Sequence, residues 1–220
     1  MTKKPKLNRT ELLCDAKFLK MYAAEFDNGA RYIVTGRRSA DGLLLNRTEA
    51  EIKKEFPDAV TCIVVVKMPR KAPKLLLQYE YRYPAGAFLL SPPAGLLDER
   101  DREGLSREDA ICLAAAREIK EETGFLIGAK DELTVLSPFL FSSPGMTDES
   151  NALALAVVSV PDESVFTNKG AEGTEVFDGF RLVSKKDAEK LIKNGVDSRG
   201  IPFSIQTWAA LVYFVSRDWD

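Results

Sequence analysis

An α+β fold is predicted, and three observations carry the prediction. Runs of β-branched and aliphatic residues at 61–68, 75–82 and 152–160 have the length and composition of buried strands. Segments 106–123, 184–195 and 203–216 have helical spacing, and the first two also carry start and stop signals. The two kinds of element are mixed without the regular strand–helix–strand alternation that builds a parallel sheet. At roughly 150 residues per domain, 220 residues make one full domain plus an appendage. Residues 1–57 are expected to form an N-terminal β appendage, and 58–220 the main domain.

Along the chain, the first ten residues read as a loose tail. Two strands then flank Asp27-Asn28-Gly29, a hairpin turn signal. Arg47 to Phe56 is polar, a short helix or a linker, ended by Phe56-Pro57-Asp58. The strand at 61–68 is followed by a charged turn from Pro69 to Pro73, then by the strand at 75–82. A loop at Tyr83-Pro84-Ala85-Gly86 leads to a short strand, Ala87 to Ser91. Ser106 with Asp109 starts the 106–123 helix, and Gly124 stops it. Strands at 133–141 and 152–160 follow, then a helix capped by Ser184 and Asp187 and a last amphipathic helix. Trp208, in that helix, and Trp219, just after it, read as packing residues.

Composition removes whole classes of chemistry. There is no histidine, so Ser-His-Asp triads, HExxH zinc sites and histidine bases are all excluded. Acid–base and metal chemistry is left to carboxylates, Lys, Tyr or Cys. Three cysteines without a CxxC pair suit a reducing cytoplasm, not a disulfide scaffold. The 31 basic and 33 acidic residues nearly cancel, so no nucleic-acid coat is expected. No apolar run approaches about 18 residues, so no membrane helix is expected. The basic start MTKKPKLNRT lacks a following apolar core and is not expected to be a signal peptide.

The densest chemical signal is Arg117-Glu118-Ile119-Lys120-Glu121-Glu122-Thr123-Gly124-Phe125. On a helix, Glu118, Glu121 and Glu122 share one face, where like charges repel. Arg117 can answer Glu121 at i+4, and a hard divalent cation would answer all three, because Mg²⁺ and Mn²⁺ prefer oxygen ligands. A stripe of Cys112, Ala116, Ile119 and Thr123 is expected to pack on a sheet. In isolation such a cluster is more often a solvated helix face. Here the glycine-rich Pro92-Pro93-Ala94-Gly95 precedes it.

Together these segments resemble the Nudix box, G-x5-E-x7-REUxEExGU with U a bulky aliphatic residue. The second half matches at every fixed position, with Phe125 departing at the last U. Counting back from Arg117 places Asp109 where the family has glutamate, and Gly95 lies fourteen residues before Asp109 rather than six. An insertion near Glu99 to Arg107 therefore splits the box. The resemblance extends over most of residues 15–215 and implies the Nudix fold, a mixed β-sheet sandwich flanked by helices, here with an N-terminal β-hairpin appendage. Pro93-Ala94-Gly95-Leu96-Leu97-Asp98 and Ser143-Pro144-Gly145-Met146-Thr147-Asp148-Glu149 look like two signatures of the ADP-ribose pyrophosphatase branch. Members of that branch are homodimers that exchange a β appendage.

The resemblance also implies roles. Glu118, Glu121 and Glu122, with the carbonyl of Ala94, would hold Mg²⁺ or Mn²⁺. Arg117 and Glu121 would belong to the catalytic group. The general base would come from a loop before the last strand, where Glu172 is favoured over Glu175. Arg82 would contact the diphosphate, with a strand-end salt bridge as the alternative. Tyr32 and Phe18 would stack on adenine or simply pack, and Arg37 would reach a phosphate or ribose. Gly95, Met146 and Glu149 complete the expected substrate contacts. The implied reaction is metal-dependent hydrolysis of ADP-ribose to AMP and ribose 5-phosphate. Three alternatives stand beside it: another nucleoside diphosphate sugar as substrate, a non-catalytic nucleotide-binding regulator, and an enzyme acting on RNA caps or damaged nucleotides.

Overall fold

The computed structural model describes residues 3–168 and 174–219. Its contacts gather the chain into two units, Met1–Asp58 with Phe139–Asn151, and Ala59–Pro138 with Ala152–Asp220.

The first unit is built on an antiparallel sheet of β1 (Leu7–Asp15), β2 (Lys20–Phe26) and β3 (Arg31–Gly36), in that order. The expected turn at Asp27–Gly29 joins β2 to β3. Gly29 takes φ 83°, which a side chain would strain, and Phe26 N–H donates to Ala30 O at 2.9 Å. The expected loose tail is corrected, because Leu7 to Thr10 belong to β1. This strand is held by cross-strand pairing more than by apolar burial. Arg9 forks onto Glu25 of β2 with two bonds of 2.8 Å. Beyond β3 the chain makes two short 3-10 turns and one four-residue helix, α1 (Glu49–Ile52), capped by Thr48. Leu43 and Leu44 are buried here.

A knot of half-buried and buried charge fastens this unit. Arg38 pairs with Asp58 at 2.8 Å and with Asp148 at 3.5 Å. Asp148 also accepts the Leu44 N–H at 3.1 Å. Gly36 lies so close that a Cβ there would meet Asp148 Oδ1 at 2.4 Å. Thr35 donates its N–H to Met146 O at 3.0 Å, so the 143–149 loop is laid along the end of β3.

In the second unit, β4 (Ala59–Met68) and β5 (Lys71–Arg82) form the centre of a sheet. β6 (Ala87–Ser91) pairs with the outer half of β5, and β7 (Ala94–Leu96) with the start of β4. β8 (Glu132–Phe141), β9 (Ser150–Ser159) and β10 (Phe177–Val183) complete the order β10-β5-β4-β9-β8 among the described residues. The tips of β8 and β9 group with the first unit. The expected turn from Pro69 to Pro73 is shorter than predicted. Pro73 lies inside β5 at a register shift, where its missing N–H breaks no regular ladder bond.

Period-two alternation splits the core. Val60, Cys62, Val64 and Val66 of β4 face one cluster with Ile111, Ala115 and Ile119 of α3 (Arg107–Thr123). Ile63 and Val65 face the other, with Leu191 of α4 (Lys185–Asn194) and Leu211 and Phe214 of α5 (Ile205–Val215). α2 (Glu99–Arg102) lies within the stretch expected as an insertion. Ser106, Ser184 and Ser204 cap α3, α4 and α5, and Gly124 and Gly195 end α3 and α4 with φ 70°.

The charge knot yields a stability prediction. Asp148→Ala leaves Arg38 with one carboxylate and the 143–149 loop untied, and should cost about 3 kcal/mol in urea unfolding. An unchanged midpoint would show that Arg38–Asp58 alone secures the loop.

Candidate active site

α3 carries its acids inward. Glu118 and Glu122 are buried, at 6% and 2% exposure, alongside Ile111, Ala115 and Ile119. The solvated-face reading is therefore wrong for these two. The predicted packing stripe is also rotated, since Cys112 and Ala116 are only half-buried while Ala114 and Ala115 are fully buried. Small residues at those positions let the helix lie close to the sheet. At Gly95 of β7 an added Cβ would fall 2.0 Å from Glu118 Cδ. Ala94 N–H donates to Glu122 Oε2 at 3.2 Å.

Arg117 is the hub of the charge pattern. Its Nη1 donates to Glu118 Oε1 at 2.7 Å and to Glu121 Oε2 at 3.0 Å. Its Nη2 donates to Leu96 O at 2.8 Å and to Asp101 Oδ2 at 3.0 Å. Burial works against its charge, but Asp101, Glu118 and Glu121 outweigh that and hold the proton more firmly than usual. Asp101 is itself buried and also accepts the Asp98 N–H at 2.9 Å.

This corrects the alignment of the box. Asp109 accepts from Ser106 Oγ at 2.7 Å at the exposed start of α3 and is the partner of that cap. Asp101, six residues beyond Gly95, takes the acidic position that the G-x5-E half of the pattern requires. The extra residues therefore follow Asp101. A forward count from the glycine finds it, whereas the backward count from Arg117 does not.

Two further residues lay outside the sequence reading. On β5, Leu76 joins the α3-side cluster, and Gln78, Glu80 and Arg82 follow it at period two. Gln78 is fully buried and donates through Nε2 to Glu122 Oε2. Glu80 is nearly buried and pairs with Arg82 at 2.7 Å, so the strand-end bridge weighed for Arg82 does form. A polar run at period two inside an apolar strand was the available signal.

The electrostatics describe one acidic centre. Burial first, then the charges of Glu121 and Glu175, push the Glu118 carboxyl up to about 7 against the pull of Arg117. Burial and the neighbouring Glu80 and Glu118 raise Glu122. Burial and Glu175 also raise Glu80. Among the described residues no three acids, thiols or imidazoles converge tightly enough to ligate an ion as they stand. Glu118 is turned to Arg117 and Glu122 to Gln78. The donor set nevertheless fits a hard divalent cation, because buried carboxylate oxygens lacking sufficient positive charge are what such an ion neutralises. Glu172, the favoured base, lies outside the described residues.

The remaining candidates fall in the first unit. Tyr32 is half exposed, and its hydroxyl donates to Gly145 O at 2.6 Å. With Met146, Phe26, Val34, Leu45 and Phe141 it lines a cavity of about 230 Å³. Arg37 stands 3.6 Å from Glu149. Phe18 is in the turn between β1 and β2, not on a strand as expected, with Lys17 Nζ 4.8 Å from its ring centre. It does not line that cavity.

The reassignment of Asp101 is testable by urea unfolding. Asp101→Ala should cost about 2 kcal/mol by removing one of the three carboxylates bonded to Arg117, and Asp109→Ala less than about 1 kcal/mol as the loss of a cap partner. Equal losses would return the role to Asp109.

Comparison with known proteins agrees with this geometry. The NUDIX domain family matches residues 55–201. An uncharacterized Nudix hydrolase of Schizosaccharomyces pombe is 30% identical over 176 residues, 77% of each chain. ADP-ribose pyrophosphatase of Saccharomyces cerevisiae is 29% identical over 146 residues, 65% of this chain and 57% of that one. The crystal structure of an ADP compounds hydrolase superposes with a TM-score of 0.55 at 19% identity, covering 98% of this chain and 96% of that one, a likeness of fold. With an acidic helix docked on Gly95 and a family match across most of the second unit, the chain belongs to the Nudix family and is a Nudix hydrolase.

Proposed function

We propose that this hydrolase cleaves the diphosphate bond of ADP-ribose, giving AMP and ribose 5-phosphate, with Mg²⁺ or Mn²⁺ as cofactor. The observation that carries the proposal is the pair of buried glutamates, Glu118 and Glu122, on the Nudix helix beneath Gly95. Glu118, Glu121, Glu122 and the Ala94 carbonyl would hold the cation. The cation would neutralise the diphosphate and acidify a bound water.

The chain's own groups do the rest. Arg82 donates a planar fork suited to phosphate oxygens, and its bond to Glu80 fixes where that fork points. Arg117 donates to Glu118 and Glu121 and ties them to the end of β7 through Leu96 O. A carboxylate from the loop before β10 takes the proton of the attacking water. Glu172 is the proposed base. Glu175 is the alternative, because its charge is felt at Glu80, Glu118 and Glu122. Adenine is proposed to stack on Tyr32 and Phe18, with Arg37 on ribose or phosphate. Met146 and Glu149 lie on the loop whose Gly145 carbonyl accepts the Tyr32 hydroxyl. A homodimer is proposed through the N-terminal sheet, which leaves Leu12, Leu13, Leu19 and Ile33 exposed.

Phosphate release in a coupled phosphatase assay tests the substrate. ADP-ribose should exceed ADP-glucose, GDP-mannose and NADH with either Mg²⁺ or Mn²⁺. A preference for GDP-mannose would discard the adenine site and keep the chemistry. Glu122→Gln should lose more than about a hundredfold in kcat/KM and lose the rise in melting temperature that Mn²⁺ gives the parent. Near-parental values would remove Glu122 from the metal site. For the base, Glu172→Gln should cut kcat by about a hundredfold or more with KM little changed. If only Glu175→Gln does so, the base is Glu175. Light scattering should give twice the chain mass, and Leu12→Glu with Ile33→Glu should give a monomer.

A further inference from the structure

The end of the Nudix helix is closed by a ring of bonds that none of the expected roles uses. The last carbonyls of a helix have no partner within it. Here Thr167 N–H donates to Thr123 O at 2.8 Å, and Asn168 Nδ2 donates to Glu122 O at 3.0 Å. Gly124 leaves the room this needs, since a Cβ there would meet Thr167 Cγ2 at 2.5 Å. Asn168 Nδ2 also donates to Gln78 Oε1 at 3.4 Å. Gln78 in turn donates through Nε2 to Glu122 Oε2. The circuit runs from the Glu122 carbonyl through Asn168 and Gln78 back to the Glu122 carboxylate.

We propose that Gln78 and Asn168 are positioning residues that together fix the Glu122 carboxylate and tie it to the root of the loop before β10. A glutamine amide has a donor end and an acceptor end, and the two are nearly the same shape. A carboxylate accepts only from the donor end. Asn168 decides which end Glu122 meets, because it offers an N–H to Gln78 and so keeps Oε1 on its own side. Gln78 is wholly buried on a central strand, so water cannot replace either bond. The same Asn168 nitrogen ties the segment that follows β9 to the end of α3, so one residue holds both that attachment and the orientation of the carboxylate. The inference rests on the reading of Glu122 as a metal ligand.

The test is Mn²⁺ binding by calorimetry, with steady-state kinetics on ADP-ribose. Asn168→Asp keeps the size but places oxygens toward Gln78 and the Glu122 carbonyl, so the Gln78 amide turns and presents Oε1 to the carboxylate. Mn²⁺ affinity should fall about tenfold or more, with kcat lowered and KM for ADP-ribose within about twofold. Gln78→Leu, Asn168→Ala and the double variant should be non-additive in Mn²⁺ affinity, because either single change already opens the ring. Leucine is an apolar near-match in volume, so Gln78→Leu should fold. If the parent binds Mn²⁺ and Asn168→Asp binds it equally well, the proposal is overturned. Strict additivity of Gln78→Leu and Asn168→Ala overturns the shared circuit. If the parent's Mn²⁺ binding is unchanged by Glu122→Gln, the metal reading has failed and the proposal falls with it.

Discussion

Glu118 and Glu122 are held out of water on one face of α3, and the surroundings of the helix follow from that constraint. A carboxylate removed from solvent costs several kcal/mol unless its charge is answered. Arg117 answers Glu118 and Glu121 with one amine edge and holds Asp101 and the Leu96 carbonyl with the other. One guanidinium thus joins the helix, the end of β7 and the short α2. Among the described residues Glu122 receives neutral donors, Gln78 and the Ala94 amide. Negative charge remains in excess there, and burial raises both glutamates. The fold keeps an acidic centre that hydrogen bonds alone do not neutralise.

The same constraint dictates where side chains are small. Glu118 lies against Gly95, where no Cβ is tolerated, and Ala114 and Ala115 let α3 settle onto β4. An insertion in this region is harmless provided the glycine, Asp101 and Arg117 keep their places. The extra residues after Asp101 loop out and re-enter the helix at Ser106, which supplies a fresh cap. Lengthening a loop costs little, about 0.6 kcal/mol per doubling. Losing Asp101 would detach α2 from the arginine.

The first unit uses charge differently. Arg38, Asp58 and Asp148 pair internally, so their task is to close a loop onto β3. That closure places Gly145 to accept the Tyr32 hydroxyl and Met146 beside the Tyr32 cavity. The apolar side chains left exposed on its sheet are the surface that the proposed dimer would cover.

Local signals in the chain were enough for the cores of most elements, for the caps at Ser106, Ser184, Gly124 and Gly195, and for the acidic helix, because periodicity and capping are short-range physics. The family pattern followed from spacing within one helix. Tertiary structure decided whatever depends on distant partners. Leu7–Asp15 became a strand only because β2 pairs with it, and Arg9 has no meaning without Glu25. Which of two aspartates serves Arg117 was settled by where α2 folds back, because the count from Gly95 and the count from Arg117 point to different residues. Gln78 and Asn168 lie 90 residues apart, and each is unremarkable alone. Their shared hold on Glu122 exists only because β5, the end of α3 and the segment after β9 meet there, and residue type does not encode that contact.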